Sequence, residues 1–258
     1  MTIYMHQTAR TAPLPMTEAE RKARVELAAA YRVFDMLGWT EMIFNHITLR
    51  VPGSEPRFLI NPFGLHYREV KASTLVLIDL EGNVLRDSGW PVNRAGFVIH
   101  SAIHGAHPDA HCVMHTHTTN GVAVSCLKDG LSSDNFYGAM LHGRVAYHEL
   151  EGVTVDTGER SRIVRDLGDK HVMILRNHGL LVVGPSIAEA FNNIFRLERA
   201  CQLQVMALSC NTELSMPPRD LIEATSKLYQ PGVRRRFGLM EWPALLKKLD
   251  ALDPSYRD

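Results

Sequence analysis

The 258-residue chain predicts an α/β domain, a mixed sheet with helices on both faces. Three observations carry that reading. Apolar runs of strand length alternate with amphipathic stretches of helical period, and the alternation lacks a strict βαβ rhythm. Hydrophobic residues make up 45% of the chain, enough at this length to bury the core of one large domain. Two capping boxes, Thr17 with Glu20 and Ser186 with Glu189, mark helix starts, because hydroxyl and carboxylate each satisfy the other's backbone N–H.

Taken in order, residues 1–16 carry Pro13 and Pro15 without periodicity and read as a loose arm able to cross onto a neighbouring subunit; residues 17–258 form the domain. The Thr17 box opens a helix running toward Gly38, with Val25, Leu27, Ala28, Tyr31, Val33, Phe34 and Leu37 on its apolar side. Strand-like pieces follow at 46–51, 57–60 and 75–78, and Gly82-Asn83 marks a turn. Residues 95–105 read as helix, 110–114 as a buried strand, and 117–127 as a helix leaving it. Beyond a glycine-containing stretch at 128–143, Val153 and Val155 look like strand residues and 158–167 like a helix. Two apolar strands, 172–175 and 180–183, flank the turn Arg176-Asn177-His178-Gly179. The Ser186 box then opens a long helix to about Ser209, whose Met206 and Leu208 extend a stripe fit for core or subunit contact.

Composition excludes several classes. Lys plus Arg equals Asp plus Glu at 28 each, so no overall field recruits nucleic acid or an acidic membrane, and a small molecule is the expected partner. The Arg234-Arg235-Arg236 cluster is short and reads as a solvated face or subunit contact. Cys112, Cys126, Cys201 and Cys210 lack CxxC spacing and sit in apolar patterns, which suggests reduced, buried thiols in a cytoplasmic protein. No signal-peptide core, membrane-length apolar run, GxGxxG, GxxxxGK[ST] or internal repeat is present, so dinucleotide and NTP chemistry lose their main support.

The richest motif is His115-Thr116-His117. A strand sends residues i and i+2 to one face, so both imidazoles can reach one cation. A third ligand must come from elsewhere. His178 sits in a tight turn before a glycine that permits close backbone approach; it either points into the same pocket or faces water. His100 and His104, at i and i+4 on a helix, form a rival pair, but HExxH needs a glutamate where Ser101 stands. His142 and His148 flank a strand-like stretch and read as loop residues or as supports behind a ligand shell.

Val113-Met114-His115-Thr116-His117, with Asn177-His178-Gly179-Leu180-Leu181 about sixty residues later, resembles the class II aldolase/adducin family; Asn45-His46-Ile47-Thr48, Asn61-Pro62-Phe63-Gly64 and His100-Ser101-Ala102-Ile103-His104 add to the likeness, from about residue 20 to 215. The resemblance implies a three-layer αβα domain on a mixed, largely antiparallel sheet, a homotetramer, and a divalent metal held by His115, His117 and His178. Zinc is the first expectation, with iron(II) or manganese as alternatives. The family's sugar-phosphate aldolases carry a metal-facing Glu four residues before the histidine matched by His100, preceded by two phosphate-binding serines. Here those positions are Gly96, Arg94 and Ala95.

These departures from the family pattern weaken both classical aldol cleavage and a sugar-phosphate substrate. A three-histidine ion with an open position, chelated by a 2-oxo or 2-hydroxy acid, would stabilise an enediolate during carbon–carbon cleavage or decarboxylation. Tyr137 lies near the position of the aldolases' proton-donating tyrosine from the neighbouring subunit. Asn45 and Gly64 match substrate- or phosphate-contacting positions, and Arg94 could bind a substrate carboxylate. Two rivals stand beside a metal-dependent lyase: a non-haem iron oxygenase of aromatic acids on the same histidines, and a non-catalytic interaction domain like the adducin head, against which the absence of a long basic tail after Asp258 is weighed.

Overall fold

In chain order the computed structural model forms β1 (Tyr4–Met5), α1 (Glu18–Met36), β2 (His46–Val51), β3 (Arg57–Ile60), β4 (Val76–Asp79), β5 (Val84–Arg86), β6 (Val92–Asn93), α2 (Arg94–Ala106) and β7 (Cys112–Thr116). There follow α3 (Thr119–Ser125), α4 (Phe136–Leu141), β8 (Val145–His148), α5 (Glu159–Leu167), β9 (Val172–Leu175), β10 (Gly179–Gly184), α6 (Ile187–Ser209), α7 (Arg219–Leu228) and α8 (Glu241–Leu252). It describes residues 4–5, 15–53, 56–86, 88–152 and 158–258, with backbone alone at 4, 5, 94 and 95.

One sheet carries the order β5-β4-β3-β2-β7-β10-β9-β8, antiparallel throughout except for the parallel β8–β9 edge. β7 is therefore central, between β2 and β10. Strand alternation sorts its residues onto two faces. Cys112 and Met114 join Ile47, Leu180 and Val182 in a core with α1 and α6, through Leu27, Tyr31, Phe191 and Ile194. Val113 joins Leu181, Val183 and Met173 under α2 and α5, through Ile99, Ile103 and Ile163. The result is the expected three-layer α/β architecture.

Both helices start where expected, but only the hydroxyl half of each capping box forms, because Glu20 and Glu189 turn their carboxylates to arginines instead of the N-cap amide. Thr17 Oγ1 accepts from the Glu20 N–H at 3.1 Å, and Ser186 Oγ from the Glu189 N–H at 3.3 Å. Glu20 is itself buried, and its carboxylate takes Arg24 at 2.9 Å and Arg86 at 3.1 Å, tying α1 to β5.

Several expectations need correction. The strand placed at 110–114 runs over Cys112–Thr116, because the turn at 107–110 closes first, with the Ala110 N–H donating to the His107 carbonyl at 2.9 Å. The helix placed at 117–127 spans Thr119–Ser125. The stretch 128–143 contains α4, capped by Asn135, whose Oδ1 accepts from the Gly138 N–H at 2.9 Å. Cys126 and Cys210 are exposed rather than buried. Met206 and Leu208 face solvent on this chain and are no part of its core. Val153 and Val155 lie outside the described residues. No helix among the described residues is long and apolar enough to cross a membrane.

Candidate metal centre

His115 lies in β7, paired across to His46 of β2 on one side and Leu181 of β10 on the other. His117 follows just past the strand. His178 comes from the β9–β10 turn, where Asn177 takes the left-handed conformation (φ +55°) that Asn tolerates better than most residues. Gly179 makes the approach possible: a Cβ there would lie 2.3 Å from the Thr116 carbonyl oxygen. Only a glycine lets the turn close over the end of β7. The three rings converge with centroids 4.6–4.8 Å apart, and one nitrogen from each lies within 4.8 Å of the others.

The donor set fits a cation. His115 Nδ1 meets the Leu180 carbonyl at 2.8 Å and His117 Nδ1 meets the Glu41 carboxylate at 3.1 Å. Both partners can only accept, so each Nδ1 carries the proton and each neutral ring presents a bare Nε2. Burial pushes His115 well below the usual histidine range, lowers His117 despite the opposing Glu41 carboxylate, and holds His178 down to about 4. The two Nε2 atoms stand 2.8 Å apart. Two lone pairs at that distance repel each other unless a positive charge lies between them, and the carbonyl and carboxylate behind the rings are the supports that histidine ligands ordinarily have.

The class II aldolase and adducin N-terminal domain family matches residues 25–205. The chain belongs to the class II aldolase and adducin family. A crystal structure of an aldolase II superfamily protein from Pseudomonas syringae is 45% identical, covers 94% of this chain and 98% of its own, and superposes with a TM-score of 0.88. L-fuculose 1-phosphate aldolase from Glaciozyma antarctica is 30% identical over 95% of this chain and 97% of its own, with a TM-score of 0.81. Rat alpha-adducin is 42% identical over 91% of this chain, which spans 34% of that protein.

Against this family background, the surroundings of Gly96 are informative. A Cβ at Gly96 would sit 2.6 Å from Cδ2 of His46, so the His46 ring fills the space that any side chain at this position would enter. His46 heads a buried chain that sequence reasoning missed. Its Nδ1 meets His100 Nε2 at 2.9 Å; His100 Nδ1 meets Thr48 Oγ1 at 2.7 Å; Thr48 Oγ1 meets His104 Nε2 at 2.7 Å; and His104 Nδ1 meets the Ala110 carbonyl at 2.8 Å. The carbonyl fixes every proton. His104 must donate from Nδ1, so its Nε2 accepts from the Thr48 hydroxyl, which accepts from His100 Nδ1–H, whose Nε2 accepts from His46 Nδ1–H. His46 is left with a bare Nε2, its ring centroid 4.9 Å from that of His115.

The signal was present in the pattern: His46 and Thr48 alternate onto the α2 face of the sheet, and His100 and His104 are one helical turn apart. Both nitrogens of His104 are engaged, so the rival helix pair is a hydrogen-bond relay rather than a ligand set. Thr48→Val keeps the shape but strips the hydroxyl from two buried imidazoles. We expect a loss of about 2–4 kcal/mol in denaturant unfolding, with Thr48→Ser nearly neutral; equal stability of the two variants would refute the relay.

Asn45 is buried in the left-handed region (φ +66°), and its Oδ1 accepts from the His117 backbone N–H at 3.1 Å. It thus fixes the backbone at His117. Gly64 takes a positive φ (+118°), and a Cβ there would meet the Trp90 ring at 3.5 Å. Arg94 opens α2 by its backbone. Tyr137, on α4, is half-buried against the α1–α6 core and touches the ring of Phe136; within this chain no hydrogen bond or ring contact joins it to the histidines. His148 is not a loop residue but the buried end of β8, held by Asp166 at 2.7 Å and Glu159 at 3.3 Å.

A cavity of about 620 Å³ opens beside His117, lined by Trp39, Glu41, Asn120, Phe195, Glu198 and Arg199 among others. Glu198 is buried on α6; Thr118 donates to one of its oxygens and Asn120 to the other at 3.4 Å. Burial raises its carboxyl above the usual range. Sequence reasoning missed it too, although a glutamate beside Leu197, on the side of the helix that carries Ile194 and Cys201, was a visible anomaly.

Proposed function

We propose that this chain is a metal-dependent lyase, acting by carbon–carbon cleavage or decarboxylation on a small oxo or hydroxy acid. The observation that carries this reading is the convergence of His115, His117 and His178, with two bare Nε2 atoms 2.8 Å apart. A divalent ion bound there supplies positive charge for an oxyanion developing on a chelated substrate. Zinc suits three neutral nitrogens with an open position; iron(II) or manganese would change the chemistry while using the same ligands.

The chain's own groups divide the remaining work. Glu41 and the Leu180 carbonyl hold the ligand rings, and Asn45 fixes the His117 backbone. His46, with its acceptor Nε2 held by the relay, takes the space above Gly96 and offers a hydrogen-bond acceptor to a substrate hydroxyl. Glu198 offers a proton-holding carboxyl in the adjoining cavity. Arg199 in that cavity, or Arg94 at the start of α2, binds the substrate carboxylate. Tyr137 of a neighbouring copy donates a proton in a homotetramer, and Gly64 shapes the substrate cradle.

The experiment is metal analysis of the purified chain, followed by turnover of a panel of 2-oxo and 2-hydroxy acids with and without chelator. One metal per chain and chelator-sensitive product release are expected. Metal-bound protein that turns over nothing in the panel would favour the non-catalytic reading, which the likeness to alpha-adducin supports; iron with oxygen uptake would favour the oxygenase.

A further inference from the structure

A second cleft, of about 370 Å³, lies between the start of α6 and the segment following α7 and shares no lining residue with the cavity beside His117. Five guanidinium groups border it: Arg144, Arg196, Arg234, Arg235 and Arg236. Among the described residues two of them have carboxylate partners. Arg236 is held by Glu189 at 2.7 Å, and Arg235 by Glu241. Arg144, Arg196 and Arg234 have none among the described residues; Arg144 donates instead to the Tyr229 carbonyl at 2.6 Å.

These cations are held in place rather than left to wander. Tyr229 and Phe237 stack with centroids 5.3 Å apart, and the Arg196 guanidinium lies 4.8 Å and 4.1 Å from the two rings. Arg234 covers the same pair at 5.5 Å and 5.6 Å. A guanidinium held over an aromatic face is fixed in place while its N–H groups can still donate to an anion. The rings are thereby covered by guanidinium groups, which argues for an anion rather than an aromatic ligand as the occupant. Burial, with Arg144 and Arg235 nearby, pushes Arg196 down to about 10, a cost that a bound anion would offset.

We infer that this cleft is an anion site for a small molecule bearing a phosphate or pyrophosphate group, recognised by Arg144, Arg196 and Arg234. Three uncompensated charges around a volume of this size match a compact polyanion, and arginine's forked donors suit phosphate oxygens. The inference does not depend on the metal-centre reading.

The test is calorimetric titration of the whole chain with inorganic pyrophosphate, and separately with inorganic phosphate, at physiological ionic strength. Saturable binding is expected, weakened about tenfold or more by Arg234→Gln, at an exposed position, and by Arg196→Gln. His178→Ala should bind pyrophosphate like the parent chain. The inference is overturned if no saturable binding occurs at millimolar pyrophosphate, if both arginine variants bind as the parent does, or if only His178→Ala loses binding, which would assign the heat to the metal centre.

Discussion

His115→Ala is expected to remove stoichiometric metal from the protein and, with it, all turnover. His115 is buried at the centre of the sheet, and its loss takes away one of the three converging nitrogens together with the partner facing His117 Nε2 at 2.8 Å. Deleting a hydrogen-bond partner behind a ligand typically costs roughly 10–100-fold in metal affinity, and deleting the ligand itself costs more. The same substitution leaves a cavity in β7 and an unanswered Leu180 carbonyl, so we expect about 2–4 kcal/mol of lost stability as well. His178→Ala separates the two effects. That ring sits in a half-buried turn, so its removal should empty the site while lowering the melting temperature less. Elemental analysis and thermal melts of both variants decide the matter. Full metal occupancy in either one would remove its histidine from the ligand set.

A steep acid instability is the second large effect. His104 is fully buried and pushed down to about 3 from an ordinary 6.5, chiefly by burial. His46 and His100 are displaced in the same direction, again by burial first and then by neighbouring histidines. A lowered folded-state pKa means that the unfolded chain takes up protons first. The contribution is therefore fully present above about pH 6.5 and is lost as pH falls toward the folded value. For His104 alone this amounts to about 2 kcal/mol by pH 5, and the other two act in the same sense. Domains of this kind are stable by only about 5–15 kcal/mol, so the relay should make the chain unfold in mild acid. Melting temperatures measured from pH 7.5 to 4.5 in metal-free buffer should hold steady at first and then drop sharply below about 6.5. A flat profile over that range would mean that these rings are not held neutral in the core.

Much of this architecture was legible because it rests on local periodicity. Thr17 and Ser186 announced α1 and α6 through hydroxyl caps that act within four residues, and the apolar runs at 172–175 and 180–183 became β9 and β10. α4 was hidden because its single turn and a half depends on the Asn135 cap and on packing against α6 and α7, not on a repeating stripe. Met206 and Leu208 read as core or subunit contact, and their exposure on this chain removes the first alternative, because hydrophobicity alone does not say which side of a helix another element covers.

The candidate site shows the same division. The pairing of His115 with His117 was readable from a two-residue period, the Asn-His-Gly motif pointed to His178, and the structure brings the three rings together. The sequence by itself determined which residue types were available: three histidines for an ion, a glycine at 96 and 179, and an asparagine at 45 and 177. Only the tertiary structure decided what they do, because antiparallel pairing of β2 and β10 against β7 sets their distances. It put His46 over Gly96, turned Asn45 toward the His117 amide, threaded Thr48 between two helix histidines, and brought Glu198 to the cavity wall from eighty residues away. Hydrogen bonds act over about 3 Å, and no pattern along the chain specifies which distant strands will come that close.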